Sequence, residues 1–125
     1  MSTLFNSSRI EKPWGFYIDY FRDDSVVFKK IIVLPNERLS YQYHDKRNEF
    51  WYVTQGTGML TVDGAFMRID TGEHVFIEKG SKHNVECVAS PVTGNIVPLI
   101  MYEMQFGECH EHDIVRLEDK YGRTE

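Results

Sequence analysis

Residues Pro35–Gly58 read Pro-Asn-Glu-Arg-Leu-Ser-Tyr-Gln-Tyr-His-Asp-Lys-Arg-Asn-Glu-Phe-Trp-Tyr-Val-Thr-Gln-Gly-Thr-Gly. Gln42 and His44 stand two positions apart, so a strand over this part presents both side chains on one face. A charged turn follows, and Glu49 begins a second candidate strand that folds back on the first. His83 stands much further along, at the start of another candidate strand. The pattern favours a small β-barrel, in which a distant strand can bring His83 to the other three side chains.

The four side chains have the composition of a metal site. Two imidazoles, a carboxylate and an amide oxygen form a mixed nitrogen and oxygen ligand set that suits divalent Zn, Mn, Fe, Co or Ni. The alternative is that His44 and His83 are hydrogen-bonded or exposed histidines and that Gln42 is a surface amide. Residue types alone leave both interpretations open.

Length and composition restrict the class of protein. A chain of 125 residues suits one domain with a core that needs no disulfide framework. The formal net charge of −5 argues against non-specific nucleic-acid binding. The two cysteines, Cys87 and Cys109, fit a reducing compartment. Because no signal peptide and no apolar run of membrane-spanning length is found, we expect a cytoplasmic protein with neither nucleic acid nor membrane as a partner.

Short strand candidates recur along the chain between turns that contain Gly or Pro. They cover residues 16–21, 26–34, 39–44, 49–54, 58–62, 66–69, 74–77, 83–88 and 97–106. This spacing predicts an all-β barrel or sandwich. We expect residues 1–12 to form an N-terminal arm and residues 13–125 to form a single domain, ending in a short C-terminal helix that Asp113 caps.

Strand alternation also predicts a self-association surface. Glu49, Trp51 and Val53 share the ligand face of their strand. The faces turned away from the ligands are also apolar, and bare aromatic faces of this size are unusual on monomers. We therefore predict that part of this surface is buried in a homodimer. Its residues are Leu39, Tyr41, Tyr43, Phe50 and Tyr52.

The spacing of glycines around the ligands resembles the paired motifs of the cupin superfamily, which is built on a jelly-roll β-barrel. Longer motifs narrow the resemblance to the cupin domain of type II phosphomannose isomerases, which usually follows a mannose-1-phosphate guanylyltransferase domain. These motifs are Pro13-Trp14-Gly15, residues 38–44 with Arg47, Glu49 and Trp51, and the tail segments 103–107, 111–116 and 119–123. The resemblance implies that Gln42, His44, Glu49 and His83 bind the metal, with Gln42 at the position of the first histidine.

The chain also departs from the family pattern. Phe50 replaces the histidine that usually follows the glutamate, Tyr41 replaces a leucine, and His112 replaces the first aspartate of an acidic pair. No segment of this sequence resembles the guanylyltransferase domain, so we expect a stand-alone cupin.

The resemblance implies an isomerase that interconverts mannose 6-phosphate and fructose 6-phosphate. This reaction needs a Lewis acid, a base and a cationic site for the phosphate. Arg47 matches the family's arginine and is the predicted catalytic residue; Lys30, Arg116 and Arg123 are the predicted substrate-binding residues. The alternatives are a solvated turn residue for Arg47 and ordinary surface charge for the other three. The sequence identifies no base.

Other functions and sites remain as alternatives. A non-catalytic or differently catalytic cupin that binds a sugar or sugar nucleotide in polysaccharide metabolism fits the departures listed above. An Fe²⁺ oxygenase rests on the fold alone. The run Cys109-His110-Glu111-His112-Asp113 has the residue types of a second metal site, although a polar loop before a helix explains it as well.

Overall fold

Eleven strands and no helix are found in residues 9–109 and 113–123, the part of the chain that the computed structural model describes. The prediction of an all-β fold is confirmed. Within these residues no helix is long and apolar enough to cross a membrane. The strands are β1 (Arg9–Lys12), β2 (Gly15–Arg22), β3 (Val26–Val33), β4 (Tyr41–Tyr43), β5 (Arg47–Gln55), β6 (Thr57–Val62), β7 (Ala65–Asp70), β8 (His74–Ile77), β9 (His83–Val88), β10 (Leu99–Gly107) and β11 (Val115–Glu118).

The strands form two sheets in which every neighbouring pair is antiparallel. The six-stranded sheet has the order β1-β2-β3-β10-β5-β8, and the five-stranded sheet has the order β11-β4-β9-β6-β7. Both sheets contribute to one core, in which Trp51 and Met101 from the first sheet pack with Leu60 and Val85 from the second. Burial of these apolar side chains is the main favourable contribution to folding.

The inner face of the six-stranded sheet changes character along its strands. On β10, Leu99 and Met101 are fully buried, and the alternation continues with buried Glu103 and Gln105. β5 runs in the opposite direction and pairs Glu49 with Gln105. One end of the barrel interior is therefore apolar, and the other end is lined with polar and charged groups. This polar end is where the candidate site lies.

The predicted C-terminal helix is wrong. Among the described residues of this segment, Val115–Glu118 forms β11, which pairs with β4. The predicted cap has another role, because the Asp113 carboxylate accepts hydrogen bonds from the backbone N–H groups of Asp45 (3.3 Å) and Lys46 (3.0 Å). The edge of the five-stranded sheet at β4 offers hydrogen-bond partners to the backbone N–H and C=O groups of β11. These groups are therefore paired without forming a helix.

Part of the expected N-terminal arm forms a strand, and Leu39 is buried in the core. Arg9–Lys12, the end of the segment expected to be an arm, forms β1 and pairs with β2, while residues 1–8 lie outside the description. Leu39 was expected on an outward face, but it is 6% exposed and belongs to the core. It precedes β4, so the alternation of that strand does not determine its direction.

Gly15 is a position where only glycine fits. Its φ of +151° disfavours side chains, and an added Cβ atom would lie 2.1 Å from the carbonyl oxygen of Ile32. We expect Gly15→Ala to lower the free energy of unfolding by about 3 kcal/mol or more. Gly64→Ala is the control: it also has a positive φ but no atom within 4 Å, and should cost about 1 kcal/mol. Urea denaturation measures both, and equal losses contradict the steric argument.

Candidate metal centre

Three of the four predicted ligands meet at the polar end of the barrel. His44 follows β4, Glu49 lies in β5 and His83 begins β9, and all three are at most 3% exposed. Their candidate ligand atoms lie within 4.8 Å of one another. The Nε2 atom of His44 is 3.2 Å from Glu49 Oε2, and the Nε2 atom of His83 is 3.7 Å from Glu49 Oε1. The cluster presents two imidazole nitrogens to one carboxylate.

Backbone carbonyl groups set the tautomers of both histidines. The Nδ1 atom of His44 lies 2.6 Å from the carbonyl oxygen of Asp113, and that of His83 lies 2.8 Å from the carbonyl oxygen of Ser81. A carbonyl oxygen only accepts hydrogen bonds, so each Nδ1 carries a proton, and in the neutral form of each imidazole the lone pair lies on Nε2. His83 Nε2 is buried and has no hydrogen-bond partner among the described residues. Metal-binding histidines are oriented in this way.

Gln42, the fourth predicted ligand, lies beside the cluster. It is half-buried on β4 and pairs in register with His83. It also lines a cavity to which His44 and Glu49 contribute. Its Oε1 atom accepts a hydrogen bond from the hydroxyl group of Ser40 at 3.1 Å. A metal bond from this oxygen would compete with that hydrogen bond, and the role of Gln42 as a ligand stays a prediction.

Arg47 lies inside the site. It is the first residue of β5 and is 9% exposed, so it is not a solvated turn residue. Its Nε donates to Glu49 Oε2 at 3.1 Å, and its Nη2 donates to His44 Nε2 at 3.2 Å. The guanidinium group therefore uses the lone pair that a metal ion would need on His44. Metal binding through His44 requires Nη2 to leave that nitrogen.

The protonation states of the cluster follow from burial and from Arg47. Burial disfavours the charged imidazolium, and with the nearby Arg47 charge it lowers the pKa of His44 to about 3. Burial alone would raise the pKa of Glu49, but His83 and Arg47 outweigh it and the pKa is lowered. At neutral pH the site thus holds a neutral imidazole and a carboxylate, the forms that bind metal ions.

Several polar residues of the inner face were not predicted from the sequence. Lys29 on β3 and Glu103 and Gln105 on β10 are buried, and all three line the cavity beside the cluster. The side-chain amide of Gln105 donates to Glu103 Oε2. Burial raises the pKa of Glu103, and the negative charge of Glu49 adds to this effect. The missed signal was alternation, because these polar residues continue the inward positions of apolar strands.

The cavity has a volume of about 130 Å³ and is rich in cationic side chains. Two carboxyl groups, those of Glu49 and Glu103, also line it. The remaining lining residues are Trp14, Tyr17, Ile31, Leu39, Ser40, Gln42, His44, Gln105 and Ile114, and the cationic ones are Lys12, Arg22, Lys29, Arg47, Arg116 and Arg123. Positive charge is therefore concentrated here in a protein whose net charge is −5.

The predicted substrate-binding residues differ in position. Arg116 and Arg123 line the cavity, but Lys30 does not, and its ammonium lies 5.9 Å from the ring centroid of Tyr102 on the other face of the sheet. Arg123 donates to both carboxylate oxygens of Asp119, at 2.9 and 3.0 Å. Arg116 Nε is buried and has no hydrogen-bond partner within the described part of the chain.

Of the remaining histidines, only His74 lies within the described residues, and it is not part of the cluster. His74 is exposed and stacks on Phe50, with ring centroids 5.3 Å apart. The possible second site at 109–113 falls largely on residues 110–112, which lie outside the described residues. Of its ends, Cys109 is buried and Asp113 contacts His44 through its carbonyl oxygen.

Comparison with known proteins identifies relatives over most of the chain. The family model described as "Mannose-6-phosphate isomerase C-terminal" matches residues 2–119. The chain is 36% identical over 116 residues to a mannose-1-phosphate guanylyltransferase of Escherichia coli strain K12, covering 92% of this chain and 23% of that protein. It is 36% identical over 120 residues to the alginate biosynthesis protein AlgA of Pseudomonas aeruginosa, covering 95% and 24%. The chain thus spans about a quarter of the length of these relatives.

Solved structures share the fold at low sequence identity. A Streptomyces PAC13 structure with uridine superimposes with a TM-score of 0.73 and 13% identity over 94% of this chain and 90% of that one. The capsular polysaccharide assembling protein CapF of Staphylococcus aureus gives a TM-score of 0.72 and 18% identity over 90% and 34%. These likenesses confirm the cupin-type barrel.

The buried neutral state of His44 predicts acid sensitivity in metal-free protein. Its folded-state pKa of about 3 lies below the usual 6.5, so between these values the unfolded state binds more protons and stability falls as pH decreases. We expect a loss on the order of 3 kcal/mol across this window. Urea denaturation with a chelator present measures it. His44→Asn should flatten the dependence, and an unchanged slope in that variant assigns it to other groups.

Proposed function

Because the chain belongs to the mannose-6-phosphate isomerase C-terminal family, we propose that it is a metal-dependent isomerase that interconverts mannose 6-phosphate and fructose 6-phosphate. The observation that carries this proposal is the buried cluster of His44, Glu49 and His83, of which His44 and Glu49 line a cavity rich in cationic side chains. A sugar phosphate offers hydroxyl and carbonyl oxygens to the cluster and a dianion to the cations. Its chemistry therefore matches both parts of the cavity.

His44, Glu49 and His83 would hold the metal ion, with Gln42 as the fourth ligand. The buried Nε2 of His83, which has no hydrogen-bond partner among the described residues, supports this assignment, since a buried polar atom without a partner is costly. A bound divalent ion of the Zn, Mn, Fe, Co or Ni type supplies a Lewis acid for the sugar oxygens. The mixed nitrogen and oxygen set does not select among these ions.

The chain's own residues bind and orient the substrate. Arg116 is assigned the phosphate, because its buried Nε has no hydrogen-bond partner among the described residues and it lines the cavity from β11. Arg123 also lines the cavity, but its bidentate bond to Asp119 makes it a support of that wall as much as a substrate ligand. A guanidinium group presents paired donors that match phosphate oxygens.

Arg47 is the proposed catalytic residue. Isomerisation of the aldose removes a proton from C2 and returns a proton to C1, and negative charge develops on the sugar oxygens between these steps. The guanidinium group of Arg47 lies 3.1 Å from Glu49 Oε2 and 3.2 Å from His44 Nε2. It is therefore held next to the position that a sugar oxygen bound at the cluster would take. A fixed cation at that place stabilises the developing charge.

A second candidate is a cupin that binds a sugar or sugar nucleotide in polysaccharide metabolism without isomerising it. One observation favours this function: Arg47 already satisfies lone pairs of His44 and Glu49, an arrangement that is stable with no metal ion at the cluster. Phe50 stands where the family usually has histidine, and this departure also favours the binding function.

The test is an isomerase assay on protein loaded separately with Zn, Mn, Co and Fe. We expect stoichiometric metal and formation of fructose 6-phosphate from mannose 6-phosphate. His83→Ala should lose at least 90% of the metal, because it removes a buried ligand, whereas exposed His74→Ala should keep it. Arg47→Met should keep the metal and lower kcat by at least 100-fold, the effect of removing an electrostatic catalyst.

The outcomes separate the two candidates. Absence of fructose 6-phosphate with every metal rejects the isomerase. Thermal stabilisation by a sugar nucleotide without turnover then supports the binding function, since a ligand that binds the folded state raises its stability. Full metal content in both His44→Ala and His83→Ala rejects the assigned centre.

A homodimer and a cytoplasmic location remain part of the proposal. The outer face of the six-stranded sheet carries exposed Tyr52, Phe76 and Met104, and on the same face Tyr102 stacks on Tyr20. Tyr41 and Tyr43 lie on β4 in the other sheet, so the predicted surface divides between two sheets. We propose that the dimer forms through the six-stranded sheet, because contiguous exposed aromatic surface is typical of interfaces.

Light scattering at micromolar concentration checks this assembly. We expect twice the mass of the 14.7 kDa chain, and Tyr52→Lys should shift it to the monomer by placing a charge in the interface. Phe66→Lys is the control, since Phe66 is 75% exposed but lies on β7 of the other sheet. A monomeric mass for the unaltered protein rejects the dimer.

A further inference from the structure

Lys29 is a buried lysine on the inner wall of the cavity. On β3 the inward positions are Val27, Lys29, Ile31 and Val33, all of them buried. Lys29 is 9% exposed and lines the cavity, so its ammonium group is directed into the interior and away from bulk solvent. A lysine buried to this degree is rare unless its charge is paired.

The aromatic ring of Tyr17 lies against the ammonium group of Lys29. The ammonium lies 4.2 Å from the ring centroid, a cation–π distance. Across residues 9–109 and 113–123, neither an ion pair nor a hydrogen bond to this ammonium is found. An aromatic face offsets only part of the cost of removing a cation from water. The charge therefore still favours an anion.

Three acidic residues lie near Lys29, and each accepts a hydrogen bond from another donor. Asp19, opposite Lys29 on β2, accepts from Arg22 through Oδ2, while its Oδ1 is buried and has no hydrogen-bond partner among the described residues. Glu103 lies opposite Lys29 in the pairing of β3 with β10, and its Oε2 accepts from Gln105. Glu49 accepts from Trp51 on one carboxylate oxygen and from Arg47 on the other. None of these carboxylates comes within ion-pair distance of Lys29 in this structure. The arrangement holds Lys29 near negative charge without neutralising it.

We propose that Lys29 is a further ligand-binding residue, whose ammonium group binds an oxyanion of the bound molecule from the wall formed by the six-stranded sheet. Identification of that oxyanion as the phosphate of a sugar rests on the function proposed above. Arg116 approaches the same cavity from β11 in the other sheet, so a phosphate between them meets a cation from each sheet. Lys29 is a compact charge with three donors, which suits a tetrahedral anion.

The neighbouring lysine provides a matched control. Lys30 has the same charge and lies next in sequence, but it projects from the other face of β3 toward Tyr102. Replacing either residue with Met removes one positive charge and keeps a chain of similar length. Long-range electrostatic effects of the two substitutions are alike, so a difference between them reports contact inside the cavity.

Inorganic phosphate is the probe, titrated by calorimetry into metal-free protein with a chelator present. We expect Lys29→Met to raise the Kd for phosphate at least 10-fold, while Lys30→Met changes it less than twofold. Lys29→Arg should retain part of the affinity, because it keeps the charge. Circular dichroism and the urea midpoint confirm that each variant is folded.

Several results overturn the assignment. One is that the unaltered protein does not bind phosphate at millimolar concentration. The second is that Lys29→Met binds phosphate with the same Kd as the unaltered protein. The third is that Lys29→Met and Lys30→Met raise the Kd equally. Should Lys29→Met misfold, Lys29→Gln and Lys29→Ala repeat the comparison, and unchanged phosphate affinity in a folded variant that lacks the charge overturns the proposal.

The same titration distinguishes this inference from the proposed isomerase. Lys29-dependent phosphate binding in a protein without turnover supports the anion site and rejects the isomerase. Turnover of mannose 6-phosphate with an unchanged KM in Lys29→Met leaves the isomerase standing and rejects the role of Lys29. A rise in KM of at least 10-fold with a smaller change in kcat supports both.

Discussion

The buried carboxylate of Glu49 is the interaction on which the polar end of the barrel depends. A carboxylate removed from water is strongly unfavourable unless donors and cations surround it. Here Trp51 and Arg47 donate to its two oxygens, and His44 and His83 approach from the other sheet. The two sheets must therefore close over one negative charge, and their relative positions are constrained by polar contacts at this end and by apolar packing at the other.

Strand alternation and ligand spacing made most of the fold and the core of the site predictable from the sequence. The i, i+2 spacing of Gln42 and His44, and the position of Glu49 on an inward face, follow from strand geometry alone. The position of His83 beside Gln42 could be predicted only from the resemblance to a family, because β4 and β9 are distant in sequence. Periodicity within a strand does not report which strands become neighbours.

The two errors have different physical origins. Lys30 was predicted to bind substrate, but it projects from the outer face of β3, and it is Lys29 that shares the inward face with Val27 and Ile31. The segment after Asp113 was predicted to be a helix because its local pattern permits one. It is a strand because the free edge of β4 offers hydrogen-bond partners, and local propensity yields to such tertiary context.

The contact between the Asp113 carbonyl and His44 Nδ1 links the chain end to the ligand cluster. His44 and Asp113 are 69 positions apart, yet the second sets which nitrogen of the first keeps a lone pair. In the function proposed above, docking of β11 and binding of a cation to His44 would be thermodynamically coupled, and each would strengthen the other by the same factor.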